Sequence, residues 1–396
     1  MKEGWTYKKL GEVGTFVRGG GFLKRDYVEN GIPCIHYGQI HTVLGNVTTE
    51  HITSIPEVLR NKTRFASKGD VIFAITSEDV EGSCKCTAWL GDYDVAVGGH
   101  AAIYKSSLNP AYVSYYAKSP AFYNAKKQFV HGFKVMEIKP SDIAQIDIPV
   151  PPLNVQQRIV ERLDSAFENI DKLKANAEKQ LSEARILFQK SLAKAMEPKE
   201  GWEEKKLKDI AQVRIGPFGS LLHKKDYISG GIPLVNPIHM VNGNIVTNND
   251  YTISDVKAKE LSNYLLKEND IVFARRGEVG RCAIVTGEDE GFLCGTGSLF
   301  VRFLREIDSN FMLMLFQSDY CKNYLEHNAS GATMLNINAG IVEDMPLSLP
   351  PLAVQQRIVE RLDSLSENVR KYEEIQRQMI SECDALKQAL LRKVFE

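Results

Sequence analysis

Two adjacent arginines, Arg275-Arg276, directly follow a short β-branched run, Asp270-Ile271-Val272-Phe273-Ala274, and precede Gly277. A guanidinium carries five donors in a planar fork, so an arginine pair at a strand end can bridge phosphates or grip the edge of guanine. The matching loop earlier in the chain follows Asp70-Val71-Ile72-Phe73-Ala74 and reads Thr76-Ser77-Glu78. The two loops therefore suit different bases. Other polar residues also fall in paired places. Lys24-Arg25 and Lys224-Lys225 suit contacts to a nucleic-acid backbone, which position a protein without specifying sequence. Tyr37, Gln39, Asn236 and His239 follow the matching elements Gly31-Ile32-Pro33 and Gly231-Ile232-Pro233 and are candidates to reach base edges. Lys134 and Thr333 stand at aligned positions after His131-Gly132 and Ser330-Gly331.

Catalytic groupings do not assemble in the same way. The chain has no Gly-x-x-x-x-Gly-Lys-Ser/Thr phosphate loop. Asn109-Pro110-Ala111-Tyr112 lacks the second proline of an amino-methyltransferase motif and reads as a turn and helix start. Glu81-Gly82-Ser83-Cys84-Lys85 imitates the end of a nuclease motif with no Pro-Asp before it. Cys84-x-Cys86 has no second Cys/His pair at zinc spacing, and the eight histidines are scattered. The expectation is a chain with no catalytic residues, no metal and no cofactor of its own.

The elements that must hold these loops come from a chain of 396 residues, 43% apolar and 25% charged, ordinary for two or more globular domains. No apolar run reaches the length of a membrane span, and Met1-Lys2-Glu3-Gly4-Trp5 lacks a signal core. Seven cysteines without a paired framework suit a reducing cytoplasm. The net charge is −1, distributed as +2 over 1–150, +1 over 151–198, −4 over 199–349 and 0 over 350–396. A solitary DNA binder carries a basic face, because phosphate neutralisation dominates affinity. This chain would have to share that task with partners.

Internal repetition decides the architecture. Residues 151–170 (PPLNVQQRIVERLDSAFENI) align without gaps to 350–369 (PPLAVQQRIVERLDSLSENV), identical at 16 of 20 positions with an offset of 199. The preceding portions align more loosely, through Gly4-Trp5 with Gly201-Trp202 and the two Asp-led apolar runs. Each reads as a mixed domain. The runs after Asp70 and Asp270 are buried strands, 112–127 and 310–326 have helical spacing, and 146–152 and 345–351 are extended up to a proline pair. Beyond the prolines, 154–196 contains neither Gly nor Pro and is rich in strong helix formers. In the second copy Ile358, Leu362, Leu365, Val369, Tyr372, Gln376, Met379, Cys383, Leu386 and Leu390 step as a heptad seam. The first follows through Ile159, Leu163, Ala166, Ile170, Leu173 and Ala177, then drifts to Leu181, Phe188 and Leu192 as after a stutter. Such seams need a partner, and the other copy is the natural one, antiparallel. The outward-facing Arg158, Glu161, Arg162 and Asp164 recur as Arg357, Glu360, Arg361 and Asp363, which hints at a repeated docking surface.

The paired Pro-Pro-Leu-x-x-Gln-Gln-x-Ile-Val-x-x-Leu-Asp segments (Pro151 to Asp164, Pro350 to Asp363), the Gly-Trp-x-x-x-x-Leu starts at Gly4 and Gly201, and Gly216-Pro217-Phe218-Gly219-Ser220-Leu221 resemble the specificity subunits of type I restriction-modification systems. The resemblance covers nearly the whole chain. It implies an α+β fold: two globular target-recognition domains joined by two long antiparallel helices forming a coiled coil, a tandem repeat with pseudo-two-fold symmetry. The segments would be 1–150, first recognition domain; 151–198, central helix; 199–349, second recognition domain; and 350–396, C-terminal helix. It further implies that the domains read the halves of an asymmetric double-stranded DNA site and that the helices set the spacer. Expected partners are two modification (methyltransferase) subunits and two restriction (helicase-nuclease) subunits, which would hold S-adenosylmethionine, ATP and Mg. A coiled-coil scaffold with protein-binding ends is the alternative, favoured by the near-neutral charge.

Overall fold

The computed structural model describes residues 5–247, 250–331 and 335–396, which leaves Thr333 outside the described residues. The chain forms two compact units: Met1–Lys179 with Gln376–Glu396, and Gln180–Ile375.

In the first unit, Val71–Ala74 is the middle strand of a five-stranded sheet ordered Gly14–Arg18, Ala101–Ser106, Val71–Ala74, Cys86–Trp89, Val47–Thr48. All neighbours are antiparallel except the last pair. Alternation sends Val71 and Phe73 into one core with Tyr104, Tyr112 and Phe122. Ile72 and Ala74 enter another with Trp89, Val97 and Ile103. A strand covered on both faces must be apolar throughout, which explains the unbroken run. Asp70 closes the turn before it, accepting the Ser67 N–H at 2.8 Å and pairing with Lys105 at 2.6 Å. A second sheet, Thr53–Ile55, Ile32–Ile35, Val95–Val97 and Arg64–Ala66, contains one parallel pair at its centre.

The second unit repeats the plan. Ile271–Ala274 lies in the sheet Ala211–Ile215, Ser298–Phe303, Ile271–Ala274, Cys282–Ile284 and again serves two cores. Asp270 accepts the Lys267 N–H at 2.8 Å and is gripped by Arg302 at 2.6 and 2.9 Å. In both units the extended segment before the prolines pairs with the first strand of its domain, Asp147–Val150 with Thr6–Lys9 and Pro346–Leu349 with Glu203–Lys206.

The helical stretch between is broken in both units. Pro110–Ala117 gives way to Pro120–Lys126, and Ser309–Phe316 to Asp319–Asn328. Ser119 and Ser318 restart the chain as N-caps, accepting the N–H of Phe122 and Cys321. Spacing alone does not reveal that break.

Leu153–Met196 and Leu352–Phe395 are uninterrupted helices of 44 residues each. Their seam differs from the sequence expectation. Leu173 is 53% exposed, and Tyr372, Met379 and Leu386 also face water. The shielded positions run through 163, 167, 170, 174, 177, 181, 184, 188 and, one repeat later, 369, 373, 376, 380, 383 and 387. Up to position 188 no stutter is needed, because Lys174, Glu373 and Lys387 occupy seam positions with their charged ends paired, and beyond it Leu192 and Met196 follow in steps of four. In the first unit Lys174 meets Asp384 at 2.7 Å, while Lys387 pairs with Asp171 and lies 5.0 Å over the Phe167 ring. In the second, Arg185 meets Glu373 at 2.7 Å and Tyr372 donates to Gln180 at 2.9 Å. The descending and ascending numbers mark the helices as antiparallel.

Each helix also ends inside a domain core. Leu391 and Phe395 complete the first core, the Phe395 ring lying 5.3 Å from Tyr112 and 5.4 Å from Tyr116. Leu192 and Met196, their repeat equivalents, complete the second with Phe311 and Leu362. Among the described residues no helix is long and apolar enough to cross a membrane.

Candidate nucleic-acid interface

The loops that follow the two central strands sit in one backbone frame. In the first unit the Ile75 N–H donates to His100 O at 3.0 Å, and the Ile138 N–H to Ile75 O at 3.0 Å. Thr76–Ser77 then pairs with Met136–Glu137, which pairs with His131–Gly132 as a hairpin. In the second unit the Arg275 N–H donates to Gly297 O at 3.1 Å and the Ile337 N–H to Arg275 O at 2.9 Å. Arg276 bridges to Asn336, and Asn336 to Ser330. Arg275 thus stands where the first unit has Ile75, Arg276 where it has Thr76, and Asn336 where it has Glu137.

That superposition changes the meaning of the arginine pair. Only Arg276 is exposed; Arg275 is half-buried, in the place of an isoleucine that has no exposure at all. The Arg275 Nε is buried without a hydrogen-bond partner, and its Nη2 lies 3.4 Å from Asn336 Oδ1, a marginal contact. Burial, reinforced by the Arg276 charge, lowers the Arg275 pKa from its ordinary value. A guanidinium short of acceptors on a loop beside a second, exposed one is prepared for an anionic or acceptor-rich ligand.

In the first unit the neighbouring surface is aromatic and imidazole-rich. Tyr37, 40% exposed, opens the helix Tyr37–Thr42, with its ring 5.1 Å from His100 and 6.0 Å from His41. His41 Nε2 lies 3.0 Å from the Thr76 carbonyl, which ties this helix to the strand-end frame. Neither histidine is signalled by the sequence, because tertiary pairing alone brings them together. Ser77 is half-exposed, but the Thr76 side chain is buried.

Gln39 and His239 are corrected by the structure. Gln39 accepts the His36 N–H at 3.1 Å and donates to Thr53 Oγ1 at 3.0 Å. His239 accepts the Asn236 N–H on Nδ1 at 3.2 Å. Both are buried and hold their own turns, so neither is free to reach a base. Asn236 is half-exposed. Lys24-Arg25 and Lys224-Lys225 are exposed on equivalent one-turn helices, each closed by an aspartate that accepts a backbone N–H at 2.7 Å, Asp26 and Asp226. Lys134 is exposed at the tip of the His131–Glu137 hairpin.

The copied helix starts split into two classes. Gln156, Val160 and Leu163, with Gln355, Val359 and Leu362, face their own domain. Gln156 accepts the Asn109 N–H at 2.8 Å and donates to the Pro151 carbonyl at 2.8 Å. Gln355 does the same with the Asp308 N–H at 3.0 Å and the Pro350 carbonyl at 2.8 Å. Arg158, Glu161, Arg162 and Asp164, with Arg357, Glu360, Arg361 and Asp363, are exposed. Asp164 accepts the Tyr115 hydroxyl at 2.5 Å, and the Asp363 carboxyl is raised by burial and by Asp308. Domain clamping, in which Asp164 also takes part, therefore accounts for part of the copying, while Arg158, Glu161, Arg162, Arg357, Glu360 and Arg361 turn outward. All seven cysteines are free and buried, with thiol pKa values pushed up by burial to about 12 at Cys84 and Cys282. Among the described residues no cluster of three metal-ligating side chains occurs.

Comparison with known proteins agrees with this geometry. The model of the family described as type I restriction modification DNA specificity domain matches twice, over residues 2–183 and 199–378. The type I restriction enzyme EcoKI specificity subunit of Escherichia coli (strain K12) is 22% identical, with all of this chain and 89% of that protein covered. The StySPI specificity subunit of Salmonella potsdam is 23% identical over the same shares. Among solved structures, the HsdS subunit from Thermoanaerobacter tengcongensis is similar with a TM-score of 0.64, at 18% identity and with 100% of this chain and 97% of that one covered. A chain from a study of complex assembly and conformational transition of the type I R-M system gives 0.78, again at 18% identity, with 99% and 97% covered. Two matches of one family model, laid over two units that repeat a fold, make this chain a member of the type I restriction-modification DNA specificity family, whose domains specify a site and do not catalyse.

Proposed function

We propose that the chain is the DNA-reading subunit of a type I restriction-modification complex and that its two domains read unequal halves of a bipartite site. One observation carries this reading: the same backbone frame presents Arg275, Arg276 and Asn336 in one unit and Ile75, Thr76 and Glu137 in the other. An identical scaffold with different donors and acceptors is what two half-sites of different sequence require. In the second domain Arg276 is the base-reading fork and Arg275 supports it, with Lys224 and Lys225 on the phosphates. In the first, Tyr37, Ser77 and Lys134 face the half-site, with Lys24 and Arg25 on the phosphates.

On this reading residues 1–150 and 199–349 are the recognition domains, and 151–198 and 350–396 are the helices that set the spacer. The exposed Arg158, Glu161, Arg162 and Asp164, with Arg357, Glu360, Arg361 and Asp363, dock two modification subunits. Those subunits bring S-adenosylmethionine; two restriction subunits bring ATP and Mg. Partner-borne cationic surface then supplies the phosphate neutralisation that a net charge of −1 does not.

Mapping methylated bases in cells that carry the whole system tests the reading. The expected result is a split, asymmetric motif; a continuous palindrome overturns it. Arg276→Ala is expected to relax the motif at one position of one half-site, costing about 1–3 kcal/mol of discrimination there.

A further inference from the structure

Phe133 is 93% exposed, the most exposed of the large apolar side chains among the described residues. It stands at the tip of the hairpin formed by His131–Gly132 and Met136–Glu137. The support beneath it is firm. Met136–Glu137 pairs with Thr76–Ser77, the Ile138 N–H donates to Ile75 O at 3.0 Å, and Arg18 joins Glu137 at 3.1 Å while donating to Gly99 O at 3.0 Å. Gly132 has a φ of +143°, and a Cβ there would lie 2.0 Å from the Val135 carbonyl oxygen, so the tip closes only around glycine. Beside the ring stand Val135, 59% exposed, and the exposed Lys134 and His131. No acidic residue lies between 131 and 136, and the Glu137 charge is met by Arg18.

A phenyl ring held almost wholly in water on a braced hairpin gains free energy when a ligand buries it. We propose that Phe133 is an apolar wedge that the first domain presses between base pairs of its half-site. The occupant is duplex DNA, because the ring is flanked by the Lys134 ammonium, with no carboxylate between 131 and 136, and rises from the frame whose counterpart carries Arg275 and Arg276. Wedges of this kind partly unstack a base step, and they favour the flexible pyrimidine–purine steps. The first domain then reads part of its half-site through deformability, whereas the second uses an arginine fork. The inference rests on the DNA-reading role proposed above.

The test uses the full chain assembled with its modification subunits and duplexes carrying 2-aminopurine at successive positions of the mapped site. Wild-type complex is expected to raise the fluorescence at one step of the first half-site. Phe133→Ala is expected to abolish that signal and weaken binding about tenfold, and Phe133→Trp to restore both, with unchanged thermal unfolding because the ring packs against nothing. Unchanged fluorescence and affinity in Phe133→Ala overturn the wedge. So does a Phe133→Ala chain that keeps its stability but no longer assembles, which assigns the ring to a protein partner. A complex that loses discrimination with Arg276→Ala yet ignores Phe133→Ala rejects the wedge and keeps the DNA-reading role; one with no site preference rejects both.

Discussion

Arg275 occupies a seat that the other unit fills with isoleucine, and its Nε has no acceptor. Such a charge destabilises the fold that holds it. Arg275→Ile is therefore expected to stabilise the second unit by about 1 kcal/mol while weakening site binding, read by calorimetry and by gel shift of the assembled complex. Loss of stability in that variant would deny the strain. His239 offers a second test. Its Nδ1 accepts a backbone N–H and its Nε2 is buried without a partner, so protonation breaks one bond and leaves the other nitrogen unsatisfied. Burial lowers its pKa below the ordinary imidazole value. Below that ordinary value the unfolded chain binds the proton more readily, so stability is present above it and is lost as pH falls towards the folded value. His239→Gln, which installs the residue the first unit uses as Gln39, is expected to flatten the acid side of the second unit's unfolding profile. An unchanged slope would place the acid sensitivity elsewhere.

At the scale of elements, the glutamines at the helix starts join each long helix to its own domain. Gln156→Leu leaves the Asn109 N–H and the Pro151 carbonyl unpaired and is expected to cost about 1–3 kcal/mol in the first unit. Thermal unfolding checks the loss, and Gln355→Leu should act on the second unit alone. The strands, the proline stops and the helices were legible in the sequence because burial on both faces and an absence of Gly and Pro leave direct marks on composition. The seam was half legible. Leu173, Tyr372, Met379 and Leu386 fit a heptad as well as Lys174, Glu373 and Lys387 do, but in the fold it is the charged residues that are shielded and ion-paired. The loop frame was legible as far as Arg276. Burial of Thr76, Gln39 and His239, and the approach of His41 and His100 to Tyr37, come from tertiary pairing that a single sequence does not record.

At the scale of the molecule, the first unit is assembled from two separated stretches of chain and the second from one continuous stretch. The first needs residues 376–396 as well as 1–179, and Phe395 lies in its core between Tyr112 and Tyr116. Deleting 376–396 is expected to destabilise the first unit by at least the 3–5 kcal/mol typical of emptying a buried aromatic site, while the second keeps its protection. Amide exchange resolved along the chain separates the two outcomes; equal loss in both units would refute the division. The same arrangement fixes an order of birth. The second unit's residues have all been made once Ile375 is added, but the first unit's core lacks Leu391 and Phe395 until those residues are added. At about 5–20 residues per second, the N-terminal domain waits on the order of ten to forty seconds after Lys179 for its final helix end. The part synthesised first is the part completed last, and during that interval its open core is the surface on which chaperones and proteases can act.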